Sequence, residues 1–370
     1  MTQEKTLKEF GRNIQRLINK KDLTLEETYR MFCAVLRNEQ PDLQQGAFLA
    51  ALVSKGETQD EIVGAWQAIQ EVDTITAKVD APGPVVENSG TGMDSLKTFN
   101  VSSASAIVAA ACGVTIARHG ARALTSFCGT VDILESIGVD VECDVQLVEK
   151  SIRQTGIGLF NGMSAKVHPG GLGRILSQIR FGSTLNIAAS LANPAQPTHG
   201  VRGVYCDSLV EPVGNIMAAI GYKRGMVVYG RADGYEGGMD ELSICGMSTI
   251  HEFSEDTGSR FYILRPEEVG LKTVPFDEIA PTNDLKTERL RFLRVLAGQG
   301  HQGCIDFTCL NAGAVLYIGE QAASIEEGVQ MACKAITSGA ALEKLKSWIS
   351  VQSADSVESL ARLDSALQAV

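Results

Sequence analysis

Residues 88–106 read NSGTGMDSLKTFNVSSASA: two glycines, an acid, a lysine and seven hydroxyls in one short stretch. No hydrophobic core accommodates that composition. The stretch follows PVVEN (84–88), which reads as a strand end, and leads into ASAIVAAACGVTIA (104–117). That weakly polar run is too short and too rich in small residues to span a bilayer, and fits a buried helix packed closely on its neighbours. Strand, glycine turn and buried helix in that order predict an α/β layer. Glycine permits positive φ and close approach of backbone to a ligand, and successive N–H groups in such a turn form an anion nest. Asn100, Ser102 and Ser103 stand where a helix begins, where hydroxyls can cap it and its N-terminus attracts phosphate. There is no third glycine at dinucleotide-binding spacing and no GK[ST].

Outward from this turn, strand-like runs alternate with helical patterns: GVTIARHG (113–120), GVDVEC (138–143), IGLFNG (157–162) and RGMVVYGR (224–231). Such alternation predicts a mixed or parallel sheet flanked by helices. The tail, residues 323–353 and 355–370, is helical again. Upstream, residues 1–76 read as a helical domain. Thr24 with Glu27, and Thr58 with Glu61, are capping boxes, and Leu25, Tyr29, Phe32 and Leu36 recur at helical spacing. AKVDAPGPVVENSG (77–90) breaks the pattern with two prolines and two glycines. The expected organisation is a helical domain, 1–76, completed near 170–198; a hinge, 77–86; and an α/β domain of 85–169 and 199–370. Apolar helical stripes of this kind also serve dimer interfaces.

The chain has 370 residues and a formal net charge of −11, which opposes a general nucleic-acid binder. Its nine cysteines, an odd number with no CxxC pair, fit reduced thiols in a cytoplasmic protein, with Cys304 and Cys309 as core thiols. The N-terminus has no apolar signal-peptide segment.

Two further clusters accompany the glycine turn. In ARHGARALTSFCGTVDILESIG (117–138), Arg118, His119 and Arg122 bracket Gly120 after a strand, where basic groups on a turn suit a phosphate or carboxylate. Thr125, Ser126 and Gly129 add donors, and Asp132 can cap the next helix. In GYEGGMDELSICG (234–246), the adjacent acids Asp240 and Glu241 supply hard oxygen ligands of the kind Mg²⁺ uses beside substrate phosphate. Nest, counter-charges and acid pair together describe a polyphosphate site.

With these motifs the sequence resembles the anthranilate phosphoribosyltransferases, of the glycosyltransferase family 3 and nucleoside phosphorylase-like superfamily. DLQQGAFLAALVSKGETQDEIVGAWQAI (42–69) is similar to the family's N-terminal helices. GTGMDSLKTFNVSSASA (90–106) resembles its GTGGD and NxST elements, and RHGARALTSFCGTVDILESIG (118–138) its KHGNR element; LANPAQP (191–197) and GGMDE (237–241) match in order. The resemblance implies a helical domain joined to an α/β domain with the site in the cleft, a homodimer formed through the helical part, and phosphoribosyl pyrophosphate (PRPP) bound with Mg²⁺, two ions by the family pattern. It implies that Gly90, Thr91, Gly92, Asp94, Asn100, Ser102, Ser103, Arg118, Gly120 and Cys128 hold PRPP. Ser102, Asp240 and Glu241 would hold metal, and His119, Ala121, Arg122, His168, Arg180 and Gly182 would face the acceptor.

The sequence departs from the family at several of these positions. Met93 replaces the second glycine of GTGGD, Arg118 a lysine, and Cys128 a phosphate-binding serine. Ala121 replaces the asparagine of KHGNR. In VHPGGLGRILSQIRFGSTLN (167–186), Gly182 or its neighbours stand where the family has an arginine, and Arg180 lies two residues away. Three readings follow: an enzyme transferring phosphoribose to anthranilate in tryptophan biosynthesis; a paralogue using another aromatic or heterocyclic acceptor; and a non-catalytic relative binding nucleic acid or a partner. The acid pair and the negative charge oppose the third.

Overall fold

The structure, a computed structural model, describes residues 3–122, 128–282 and 284–368. The chain divides into two compact units, residues 1–76 with 162–196, and residues 77–161 with 197–370.

The first unit is helical. Helices Gln3–Ile18, Leu25–Leu36, Asp42–Lys55 and Gln59–Val72 are followed by the shorter Leu172–Ile179 and Leu185–Ala188. Both capping boxes form: Thr24 accepts from Glu27 N–H and Thr58 from Glu61 N–H, and each glutamate returns the bond to its cap residue. Phe48 sits edge-on to Phe10 and Phe32 at centroid distances of 5.6 and 5.1 Å, a geometry that suits the ring quadrupoles. Phe32 and Leu36 are buried as their spacing implied, while Leu25 and Tyr29 are half-buried. Asp73 ties the later segment to the four helices, because its carboxylate accepts from the N–H groups of Gly170 and Leu172.

The second unit is a seven-stranded mixed sheet. Strands β1 (Val85–Ser89), β2 (Thr115–Gly120), β3 (Ile157–Asn161), β4 (His199–Gly203), β5 (Arg224–Gly230), β6 (Ser248–Ser254) and β7 (Gly258–Leu264) lie in the order β3-β2-β1-β4-β5-β6-β7. The first five are parallel, and β6 and β7 run antiparallel to their neighbours. The chain builds outward from β1 to β3, then restarts on the other side of β1 with β4. This reversal is a topological switch point, where the carboxyl ends of adjacent strands leave a crevice.

Helix Val101–Ala111 follows β1, and its Ala104, Ala106, Ile107, Val108 and Ala109 are fully buried. Small side chains let it pack against helices Gln302–Ile318 and Ala340–Val351. Cys304 and Cys309 are buried in that core, and helix Ser356–Leu367 closes the described chain. One expected strand is corrected. GVDVEC (138–143) is a turn after helix Thr130–Ser136; its alternating Val139 and Val141 are buried, but Asp140 N–H bonds Gln352 O instead of a strand partner. Among the described residues, no helix is long and apolar enough to cross a membrane.

Candidate active site

At the switch point the turn Gly90–Thr91–Gly92 leaves β1 beside the loop that follows β5. That loop is pinned by reciprocal backbone bonds between Gly230 and Met239, which deliver Asp240 to the turn. Asp240 Oδ2 accepts from Gly92 N–H at 2.6 Å and from Thr91 Oγ1 at 3.3 Å. A Cβ at Gly90 would overlap the Asp240 carboxylate, and one at Gly203, the end of β4, would overlap the Asp240 carbonyl. Both glycines are therefore required by packing. Gly92 has φ of +70°, the left-handed region that glycine enters without penalty. Its N–H, read from sequence as part of an anion nest, is held by Asp240 in this state.

Asp94, Asp240 and Glu241 converge, with one oxygen of each within 4.8 Å of the others. Sequence reasoning assigned Asp94 to the donor; the structure sets it with the acid pair. Burial raises the Asp94 carboxyl to about 7, the charge of Asp240 adds to the shift, and Lys97 opposes it. Burial, then Asp240 and Asp94, push Glu241 well above the usual carboxylate range. Glu241 Oε2 is buried and has no hydrogen-bond partner among the described residues. Crowded buried acids with an unsatisfied oxygen are a donor set short of positive charge, which a divalent cation supplies. Ser102 lines the same cavity as Asp240 and Glu241.

The basic cluster differs from its sequence reading. Arg118 and His119 do not lie on a turn; they belong to β2 and are buried. Arg118 Nη1 donates to Ser103 Oγ at 2.6 Å and Nη2 to Thr130 Oγ1 at 3.4 Å, so the guanidinium faces the first turns of helices Val101–Ala111 and Thr130–Ser136. Burial lowers its pKa to about 10 despite nearby Glu87, and its Nε has no partner among the described residues. A desolvated cation beside two positive helix ends gains from an anion. Asn100 occupies the helix cap position but makes no capping bond; its Nδ2 donates to Cys128 O at 3.2 Å. Burial pushes the Cys128 thiol up to about 12. Asp132 lies within its helix and accepts from Gly129 N–H at 2.8 Å. Thr125 and Ser126 lie outside the described residues.

The acceptor-side residues fall in both units. Ala121 is exposed after β2. Arg122 bonds both oxygens of Glu135 at 2.7 and 3.1 Å, and also reaches Asp132 and Glu142. His168, Arg180 and Gly182 belong to the helical unit. Nδ1 of His168 lies 2.9 Å from Asp73 O, while Arg180 ends helix Leu172–Ile179 at φ of +51°, exposed like Gly182.

Residues 82–342 match the glycosyl transferase family a/b domain, and residues 12–72 match the helical bundle domain of the same name. The anthranilate phosphoribosyltransferase of Chloroflexus aggregans is 35% identical over 340 residues, 91% of this chain and 97% of its own length. The chain belongs to the anthranilate phosphoribosyltransferase family. The family member from Myxococcus xanthus is also 35% identical, over 93% of this chain and 98% of its own length. The crystal structure of the enzyme from Thermus thermophilus superposes with a TM-score of 0.82 at 30% identity, covering 92% of this chain and 98% of that one. The Saccharomyces cerevisiae enzyme in complex with PRPP and Mg shares the fold, with a TM-score of 0.81 at 24% identity over 96% of this chain and 99% of that one.

Sequence reasoning passed over the polar layer beneath the family's glycine turn. Asn88 Nδ2 donates to Ser102 O at 2.8 Å and to Ser105 Oγ at 3.2 Å; Arg202 of β4 donates to Ser89 Oγ at 2.7 Å; Tyr222 donates to Glu87 Oε2 at 2.7 Å. The signal available was the polar run Glu87–Ser89 inside a strand expected to be buried on both faces. Lys97 was also given no role, though it lies three residues beyond Asp94, and its ammonium stands 2.6 Å from Asp94 Oδ1.

Proposed function

We propose that this chain transfers phosphoribose from PRPP to the amino group of anthranilate, releasing pyrophosphate, as a step of tryptophan biosynthesis in the cytoplasm. The observation that carries this reading is the meeting of a glycine turn with three carboxylates at the switch point of a parallel sheet. Asp94, Asp240 and Glu241, with Ser102, would hold Mg²⁺, two ions by family analogy. Bound there, Mg²⁺ neutralises charge on the pyrophosphate.

The remaining work belongs to the protein. Gly90, Thr91 and Gly92 let the backbone approach the donor. Asn100 and Ser103 mark the open N-terminus of a helix that favours phosphate. Arg118, held through Ser103 and Thr130, and Gly120 at the end of β2 face the phosphates. Cys128 offers a neutral thiol where serine is usual. As the bond from the anomeric carbon to pyrophosphate breaks, positive charge develops on the ribose; the amine forms the new C–N bond and releases a proton. Placement and electrostatics supply the acceleration, and no covalent protein intermediate is required.

His119, His168, Arg180 and Gly182 are assigned to the acceptor side. The domain division at 77–86 and a homodimer through the helical part belong to the same proposal, and sedimentation at micromolar concentration tests the dimer. A second reading, in which the acceptor is another aromatic or heterocyclic amine, is favoured by Arg122, which its three acidic neighbours already engage, and by Ala121. A pyrophosphate-release assay with PRPP and a panel of aromatic amines decides between the two. Release with anthranilate supports the first reading, release only with another amine the second, and release with none contradicts both.

A further inference from the structure

The ammonium of Lys97 touches both the acid cluster and the glycine turn. It lies 2.6 Å from Asp94 Oδ1 and donates to Gly92 O at 3.0 Å. Gly92 in turn gives its N–H to Asp240. One lysine thus links two of the three carboxylates, Asp94 directly and Asp240 through a single residue, Gly92. The Asp94 side chain is 5% exposed whereas that of Lys97 is 27% exposed, so the carboxylate is fixed in the interior and the cation has a route to solvent. Lys97 also lowers the pKa of Asp94 and opposes the rise at Glu241.

We propose that Lys97 is a stand-in cation, which holds the acid cluster and glycine turn together without metal and gives up its place when a divalent cation binds. The proposal rests on the reading of Asp94, Asp240 and Glu241 as metal ligands. A lysine and a divalent ion compete for the same Asp94 oxygen and repel each other, so both cannot occupy it. The lysine supplies one positive charge from a flexible four-carbon stem, while the ion supplies two and accepts several oxygens at once. Exchange therefore favours the ion at sufficient concentration. The displaced ammonium swings outward on its exposed stem, where an incoming polyphosphate offers it new acceptors. The protein keeps an ordered turn before loading, at the cost of weaker metal binding.

The test is calorimetric titration of the full-length protein with Mn²⁺, without PRPP, in the native form, Lys97→Met and Lys97→Gln. Circular dichroism checks the fold, and Lys97→Gln preserves hydrogen-bond donors without the charge should Lys97→Met fold poorly. Removal of the competing charge is expected to tighten Mn²⁺ binding about tenfold in both variants, the scale of one nearby unit charge on a charged site. Their metal-free melting temperatures should fall, and saturating Mn²⁺ should restore them to the native value. Unchanged or weaker Mn²⁺ binding in the folded variants overturns the exchange. Absence of Mn²⁺ binding in all three proteins overturns the metal-site reading and the exchange with it.

Discussion

The N–H of Gly92 donates to Asp240 Oδ2 at 2.6 Å, joining residues 148 positions apart in the chain. This bond makes one carboxylate both a support for the glycine turn and a member of the acid cluster. The two duties can be separated. Asp240→Asn retains an oxygen acceptor for Gly92, so it should fold and melt near the native temperature. Its Mg²⁺-dependent PRPP binding should nevertheless weaken at least tenfold, because a hydrogen bond or ligand contact to a charged group is worth about 1.5–3 kcal/mol. Calorimetry with PRPP and Mg²⁺ checks this, and native affinity in the variant contradicts it. The double variant Asp240→Ala with Glu241→Ala should lose binding altogether.

Gly90→Ala tests the packing side of the same contact. The added methyl would overlap the Asp240 carboxylate, and overpacking typically costs about 1–3 kcal/mol. Thermal melting should show a loss of that order, accompanied by loss of PRPP binding. A variant as stable and as tightly binding as the native protein would show that the turn and Asp240 are not packed as described.

How much of this was legible in the sequence varied with the kind of contact. The capping boxes, the βα unit around residues 88–106 and the acid pair are local patterns and could be read directly. Strands β4, β6 and β7 were missed. β4 carries two glycines and an arginine, so its composition hides a strand that is wholly buried. GVDVEC alternates like a strand, yet its valines are buried from a turn. The burial of Arg118 was equally invisible, because a basic residue beside a glycine reads as a solvated turn until its partners Ser103 and Thr130 are placed. Asp94 could not be joined to Asp240 by any spacing rule; the sheet order brings them together.

Arg118→Met should fold, since a methionine fills the buried stem. It should raise the KM for PRPP by roughly tenfold or more, on the scale of a lost charge-assisted hydrogen bond. Steady-state kinetics with varied PRPP, alongside circular dichroism, checks this. An unchanged KM would leave Arg118 a purely structural residue joining two helix ends.

His251 predicts a pH effect separable from the site. It is buried in β6 and stacked on Phe261, with centroids 4.2 Å apart, and burial lowers its pKa. A folded-state pKa below the unfolded value of about 6.5 means the unfolded chain takes up the proton first. The stability this residue contributes is therefore present above about pH 6.5 and lost as pH falls through that value. His251→Phe removes the titration, so its melting temperature should gain on that of the native protein between pH 8 and pH 5. Parallel profiles for the two proteins would contradict the assignment.

The acceptor side is tested by restoring the family's residues. Ala121→Asn with Gly182→Arg should raise kcat/KM for anthranilate by about tenfold or more if a carboxylate partner is missing, since an unpaired charge is costly to desolvate. Efficient turnover by the native protein with no gain in the variant would dispose of the altered-acceptor reading.

The most direct test of the central claim is a stoichiometric assay of the native protein with PRPP, Mg²⁺ and anthranilate, following pyrophosphate release and anthranilate consumption together. The account predicts one pyrophosphate per anthranilate consumed, and no reaction when the divalent cation is chelated. A folded protein that releases no pyrophosphate in the presence of Mg²⁺, with anthranilate or any other aromatic amine, would contradict it.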